Sequence, residues 1–162
     1  MRARGNRFGL WLSVFLFLLA FGADRVHKYI QLVVLGWKGG EYLPVTNFFD
    51  YVLVWNTGIS YGLFAGLPPV VLGVLMVFAI IALGVWWWRS DSALLQAGLA
   101  LCIGGALSNA VDRWWYGGVA DFFHFHYNQY SFYIFNLADT AITFGVILLL
   151  LDFMGVGRRR NK

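Results

Sequence analysis

The sequence predicts an all-α membrane protein, with four transmembrane helices and a small β element on the outer, periplasmic side. Three observations lead there. Of 162 residues, 60% are hydrophobic and 12% charged, where an ordinary soluble domain has about 45–50% apolar and about 25% charged residues. Four segments approach the roughly 20 mostly apolar residues that a helix needs to cross lipid. The basic residues gather at the segment ends that share one side. This composition excludes a water-soluble globule. It equally excludes a disordered chain, which needs low hydrophobicity and high charge.

The spans are read at about 8–30, 69–88, 93–111 and 136–153, within one domain covering 1–162. Phe8 to Ala23 carries no charge, and the first helix runs on past Asp24 and Lys28. Pro69 to Trp88 is wholly apolar. Ala93 to Val111 is interrupted only by Gln96, Ser108 and Asn109, and the fourth span holds its polar residues mostly in its first two turns. Arg2, Arg4 and Arg7 followed by an apolar run also resemble a signal peptide. The run is long for that, and losing it would upset the even span count, so it is read as a retained span.

Four spans place both termini and the second-to-third connection on one side. That side holds Arg2, Arg4, Arg7, Arg89, Arg158, Arg159, Arg160 and Lys162 against Asp91 and Asp152. The other has Arg25, Lys28, Lys38 and Arg113 against Asp24, Glu41, Asp50, Asp112, Asp121 and Asp139. The positive-inside bias makes the termini cytoplasmic. The net charge of +4 is therefore a topology signal, and no nucleic-acid partner is expected.

Both outer connections, 31–68 and 112–135, are too long for tight turns. Tyr42 to Val45 and Tyr51 to Trp55 are β-branched and aromatic, and the segment from Val119 to Phe135 is similar, with a turn at Asn128-Gln129. Trp86 to Trp88 and Trp114 to Tyr116 fit interfacial aromatic belts.

Ionisable groups at membrane depth mark function by default. In Gly104 to Arg113, Asn109, Asp112 and Arg113 share one helical face, and Gly105, one turn before Asn109, lets another backbone approach. At the start of the fourth span, Asn136 and Asp139 share a face. A loop carrying Asp121 joins the two, so antiparallel helices would gather all of them near the outer boundary. Two carboxylates close together in a partly dry site share a proton. One then activates water while its protonated partner polarises a carbonyl, as in aspartic proteases. Asp121 and Asp139 are the candidate pair. The alternative makes Asp112, Asp121 and Asp139 helix caps or partners of Arg113. It weighs least for Asp139, which lies a turn inside an apolar segment behind an Asn that can itself cap. Asp24 and Lys28 form an i, i+4 ion pair in the favourable order. Asn56, in Asn56-Thr57-Gly58, is either a turn residue or a donor to a bound peptide.

Several features are read as incidental. Gly58-Ile59-Ser60-Tyr61-Gly62 matches a nucleophile elbow but lacks the α/β context. Asp121, His124 and His126 offer too few ligands for a metal, and no metal is expected. His27 reads as an interfacial aromatic. Cys102 is a packing residue, and as the one cysteine it excludes a disulfide framework.

Taken in order, Asp24-x-x-x-Lys28, Asn56-Thr57-Gly58, Gly104 to Arg113, Gly118-x-x-Asp121-Phe122 and Phe135-Asn136-x-Ala138-Asp139-x-x-Ile142 resemble the bacterial lipoprotein signal peptidase (signal peptidase II) family of membrane aspartic peptidases. Each motif alone is weak, but five in order through nearly the whole chain are specific. The resemblance implies cleavage of diacylglyceryl-modified prolipoproteins just before the lipidated cysteine, without a cofactor, at the outer face of the bacterial inner membrane. It implies Asp121 and Asp139 as the catalytic pair, and Asn56, Asn109, Arg113 and Asn136 as residues that bind substrate or orient that pair. Asp24, Lys28 and Asp112 would support the site. Membrane lipids and a globomycin-type cyclic peptide inhibitor are the other implied partners. Arg25 stands where the family more often has Gln, Ser108 where Gly is usual, and Ile59 and Ser60 where small residues are common.

A competing class is a small proton-coupled carrier, because intramembrane Asp residues also serve proton relays. It fits less well. The acids cluster at one depth, and no pair of broken helices marks an inverted repeat.

Overall fold

The computed structural model describes residues 7–58 and 69–156. Helix α1 (Arg7–Tyr29) continues through a π-helical extension (Ile30–Val34) toward the hairpin of β1 (Tyr42–Thr46) and β2 (Phe49–Asn56). Helices α2 (Pro69–Arg89) and α3 (Ala93–Tyr116) follow, then β3 (Val119–Tyr127), β4 (Tyr130–Ser131) and α4 (Leu137–Phe153). The helices fall where hydrophobicity placed them, although α3 runs five residues beyond the expected Val111. It stops at Gly117, whose φ of +75° supplies the left-handed cap that glycine adopts without strain.

Helix α3 is the hub, packed between α1 and α4 with α2 alongside. Small residues make the close approaches possible. A Cβ on Gly105 would stand 2.5 Å from the Ala138 carbonyl of α4, and one on Gly104 would stand 2.8 Å from the Phe17 carbonyl of α1. Without a hydrophobic drive between helices in lipid, such contact supplies the packing energy. Helix α2 leaves Val70, Val74, Phe78 and Ile81 exposed, a surface suited to lipid.

Among the described residues, three helices are long and apolar enough to cross a membrane: Arg7–Val34, Val70–Arg89 and Ala93–Tyr116. Helix α4 has 17 residues. Asn136 is spent as its cap, so the helix rises about 25 Å, short of a hydrocarbon core of about 30 Å.

The four strands form one antiparallel sheet in the order β1-β2-β3-β4, where β-branched and aromatic runs predict strands. Asn128 has a φ of +51° at the expected turn. Leu53, Ala120 and Phe122 form the sheet's core, with Trp37, Tyr51 and Trp55 packed against it. An irregularity between Tyr51 and Val54 gives β2 one extra residue opposite β3. This bulge sets the register so that Val54 faces Asp121 and Asn56 faces Val119.

Candidate active site

Where α3 meets the sheet, a polar cluster is closed off from solvent: Asp24, Lys28, Ser108, Asn109, Asp112, Asp121 and Asn136 are all buried. Helix α4 begins there. Asn136 Oδ1 accepts from the Asp139 N–H at 2.9 Å, and Asp139 Oδ2 accepts from the Asn136 N–H at 3.3 Å. The two residues form a capping box. Asp139 therefore does have the capping role weighed least for it. Its other oxygen remains turned to the cluster, accepting from Asn109 Nδ2 at 2.9 Å.

Asp121 arrives from β3. Across the bulged ladder it is the diagonal neighbour of Asn56, within side-chain reach, and Asn56 Nδ2 donates to its Oδ2 at 3.1 Å. Asn56 Oδ1 also accepts from the Gly58 N–H at 3.1 Å, so Asn56 is the turn residue expected of it while its amide nitrogen goes to Asp121. Asn136 Nδ2 donates to Asp121 Oδ1 at 2.6 Å and lies 3.1 Å from Asn109 Oδ1. The side chain of Asn136 thus holds one aspartate while its backbone holds the other.

Behind this pair lies an ionic group that spacing showed only in part. Lys28 Nζ reaches Asp24 Oδ2 at 2.8 Å, Asp112 Oδ2 at 2.6 Å and Asn109 Oδ1 at 3.2 Å. Arg25 pairs with Asp112 Oδ1. The acids also hold backbone amides: Asp112 Oδ2 accepts from Ala120 N at 3.2 Å, and Asp24 Oδ1 from Ala138 N at 3.0 Å. Those amides immediately precede Asp121 and Asp139. Asp112 is therefore no partner of Arg113. Arg113 Nη2 donates to the Gly58 carbonyl at 2.7 Å, because the helix turn that points Asp112 into the bundle swings its neighbour toward the end of β2.

Burial, then the nearby charge of Asp139, push the Asp121 carboxyl up to about 7, against the opposing pull of Asn56, Asn136 and Lys28. A carboxyl held there exchanges a proton near neutrality, as general acid–base work requires.

Other expectations resolve simply. His124 and His126 have the opposite strand parity to Asp121 and turn to Asp50, at 3.2 and 3.0 Å. His27 packs under the sheet, 4.8 Å from the Phe122 ring, with Nε2 at 2.5 Å from the Tyr51 hydroxyl. Cys102 is buried against α4. Trp86, Trp88, Trp114 and Trp115 are exposed at helix ends. In the Gly58 to Gly62 elbow match, residues 59–62 lie outside the described residues, as do Arg2, Arg4 and the basic residues from Arg158 onward.

Two residues of the cluster were given no role at the site by the sequence. Ser108 donates to Asp24 at 2.6 Å, and Arg25 completes the ionic group. The available signal was local: four ionisable residues in the five positions 24–28, beside a long apolar run.

The helical bundle, its small sheet and the buried acidic site define a membrane enzyme. Two solved bacterial membrane enzymes share the architecture. One, at 2.3 Å resolution, has a TM-score of 0.78 and 26% identity, covering 100% of this chain and 98% of that one. The other, at 1.9 Å, has a TM-score of 0.71 and 27% identity, covering 100% and 99%. The family model described as Signal peptidase (SPase) II matches residues 16–155, and the chain belongs to that family, as an aspartic peptidase of the signal peptidase II type. It is 44% identical over 148 residues to the lipoprotein signal peptidase of Rhodopseudomonas palustris (strain TIE-1), covering 87% of this chain and 90% of that one. It is 48% identical over 139 residues to that of Nitrobacter hamburgensis, covering 80% and 84%.

Proposed function

We propose that this protein removes the signal peptide from diacylglyceryl-modified prolipoproteins, cutting just before the lipidated cysteine, with Asp121 and Asp139 as its catalytic pair. The observation that carries this reading is the shared hold of Asn136 on both acids, through its side chain on Asp121 and its backbone on Asp139. Between them the pair keeps one proton. The ionised member takes a proton from water as the water oxygen attacks the scissile carbonyl carbon. The protonated member gives its proton to the carbonyl oxygen. Collapse then breaks the C–N bond: the protonated member gives its proton to the leaving amine, a diol hydroxyl gives its own to the ionised member as the carbonyl re-forms, and the pair again holds one proton.

Asn56 and Asn136 orient Asp121, and Asn109 orients Asp139. Arg113, on the Gly58 carbonyl, fixes the end of β2, and its rigid fork suits a substrate backbone. Asp24, Lys28 and Asp112 support the pair from behind. In this reading α4 is a fourth, short crossing, the termini are cytoplasmic, and the site opens at the outer face of the inner membrane. The substrate's own acyl chains bring its scissile bond to that depth. A globomycin-type cyclic peptide would occupy the same groove.

Cleavage of a lipidated precursor by Asp121→Asn and Asp139→Asn variants tests this. Both should lose activity, on the order of 10³-fold or more, while folding normally, and EDTA should leave the wild type active. Retained cleavage in either variant removes the mechanism. Reversible loss with EDTA, restored by zinc, would transfer the chemistry to a metal.

A further inference from the structure

Arg25 borders the buried polar cluster, 21% exposed and paired with Asp112, and the proposed reaction leaves it without a role. We infer that Arg25 is a positioning residue for the reaction: it completes a charge-balanced quartet with Asp24, Lys28 and Asp112 that holds the backbone before each catalytic aspartate and frees one Lys28 N–H for Asn109. The inference rests on the assignment of Asp121 and Asp139 as the reacting pair.

A count of hydrogen bonds carries it. Lys28 has three N–H donors, and all are engaged, on Asp24, Asp112 and Asn109. Asp24 is satisfied on both oxygens, Oδ1 by Ala138 N and Oδ2 by Ser108 and Lys28. Asp112 Oδ2 accepts from Lys28 and Ala120 N. Among the described residues, Asp112 Oδ1 has only Arg25, which also comes within 3.7 Å of Asp24 Oδ2.

Both acids are wholly buried and Lys28 nearly so, whereas Arg25 is 21% exposed. The quartet is neutral as built. Without Arg25 it would carry one uncompensated buried negative charge, which is costly unless paired. Lys28 would then be drawn further onto the carboxylates and off Asn109. Asn109 is the relay, since its Oδ1 faces Lys28 and Asn136 while its Nδ2 holds Asp139. Loss of Arg25 thus loosens the Asn109 amide and places negative charge behind both catalytic acids.

The experiment is the pH profile of kcat/KM for a lipidated precursor, with thermal unfolding in detergent as a folding control. The charged groups around the pair are Asp24 and Lys28 from α1, Asp112 and Arg113 from α3, and the two aspartates themselves on β3 and α4. Asn56 from β2 is neutral. Arg25→Gln leaves the quartet at −1 and should move the profile to higher pH by about 1 unit, the scale of one charge about 10 Å away in a protein interior. Asp112→Asn leaves it at +1 and should move the profile the other way. The double variant is neutral again and should return to the wild-type position, as should Arg25→Lys.

A merely structural Arg25 would move no profile, and the double variant would only add damage. Coincident profiles for wild type, Arg25→Gln and Asp112→Asn would overturn the inference, as would a double variant displaced as far as Arg25→Gln. If Arg25→Gln fails to fold, Asp112→Asn against the double variant gives the same test. If Asp121→Asn or Asp139→Asn still cleaves, the assignment of the pair fails. If both are inactive and the quartet profiles coincide, only the role of Arg25 fails.

Discussion

Asp121 is buried between two amides, and its carboxyl is raised from 3.8 to about 7. The folded protein therefore holds a proton that the unfolded chain releases above about pH 4. Folded-state stability is undiminished by this group below about pH 4, falls as pH rises toward 7, and is level beyond. An Asn cannot titrate but keeps an oxygen to accept from Asn136. Asp121→Asn should thus be more stable than wild type at pH 8, on the order of 1–3 kcal/mol, and no more stable at pH 4. Thermal unfolding in detergent at the two pH values checks this, and an equal difference at both would mean Asp121 is not perturbed. At this scale the sequence revealed which residues gather, because Asn109, Asn136 and Asp139 are polar where lipid should exclude them. It did not reveal who holds whom. The Asp24 bond to Ala138 N links residues 114 positions apart, a distance no helical spacing encodes. The adjacency of Asp112 and Arg113 pointed to a pair that their helix directs apart.

Among the elements, the approach of α3 to α4 sets the position of Asp139. A Cβ on Gly105 would meet the Ala138 carbonyl at 2.5 Å and Ile142 Cγ1 at 2.9 Å, one residue from the candidate catalytic acid. Gly105→Ala should cost about 1–3 kcal/mol through overpacking and lower cleavage at least about 10-fold, since misplacement by about 1 Å costs on that scale or more. Gly22→Ala is the control: its Cβ would meet nothing within 4 Å, and it should leave unfolding and cleavage unchanged or improved. Equal effects of the two would show that the contact does not position the site. Hydrophobic runs made these helices legible, and β-branched and aromatic content did the same for the strands. The bulge between Tyr51 and Val54 was not legible. It comes from fitting β2 against β3, and it decides that Asn56 reaches Asp121.

At the scale of the whole molecule, the proposed function sets the fold one problem: hydrolysing a peptide bond where lipid meets water. Three helices supply an apolar body, a buried ionic quartet ties α1 to α3 beside the sheet, and the sheet delivers one candidate acid while α4 delivers the other. Helix α2 packs beside α3 and exposes an apolar face, and under the proposed function a lipid-borne substrate would approach from the bilayer plane. The central claim is that Asp121 and Asp139 act as one unit, and units of this kind are strongly non-additive. The most direct test compares single-turnover cleavage of a lipidated precursor by Asp121→Asn, Asp139→Asn and the double variant. A single proton-sharing pair predicts that either substitution alone removes nearly all activity and that the double variant is no slower than the singles. Losses that multiply in the double variant would mean the two aspartates work independently.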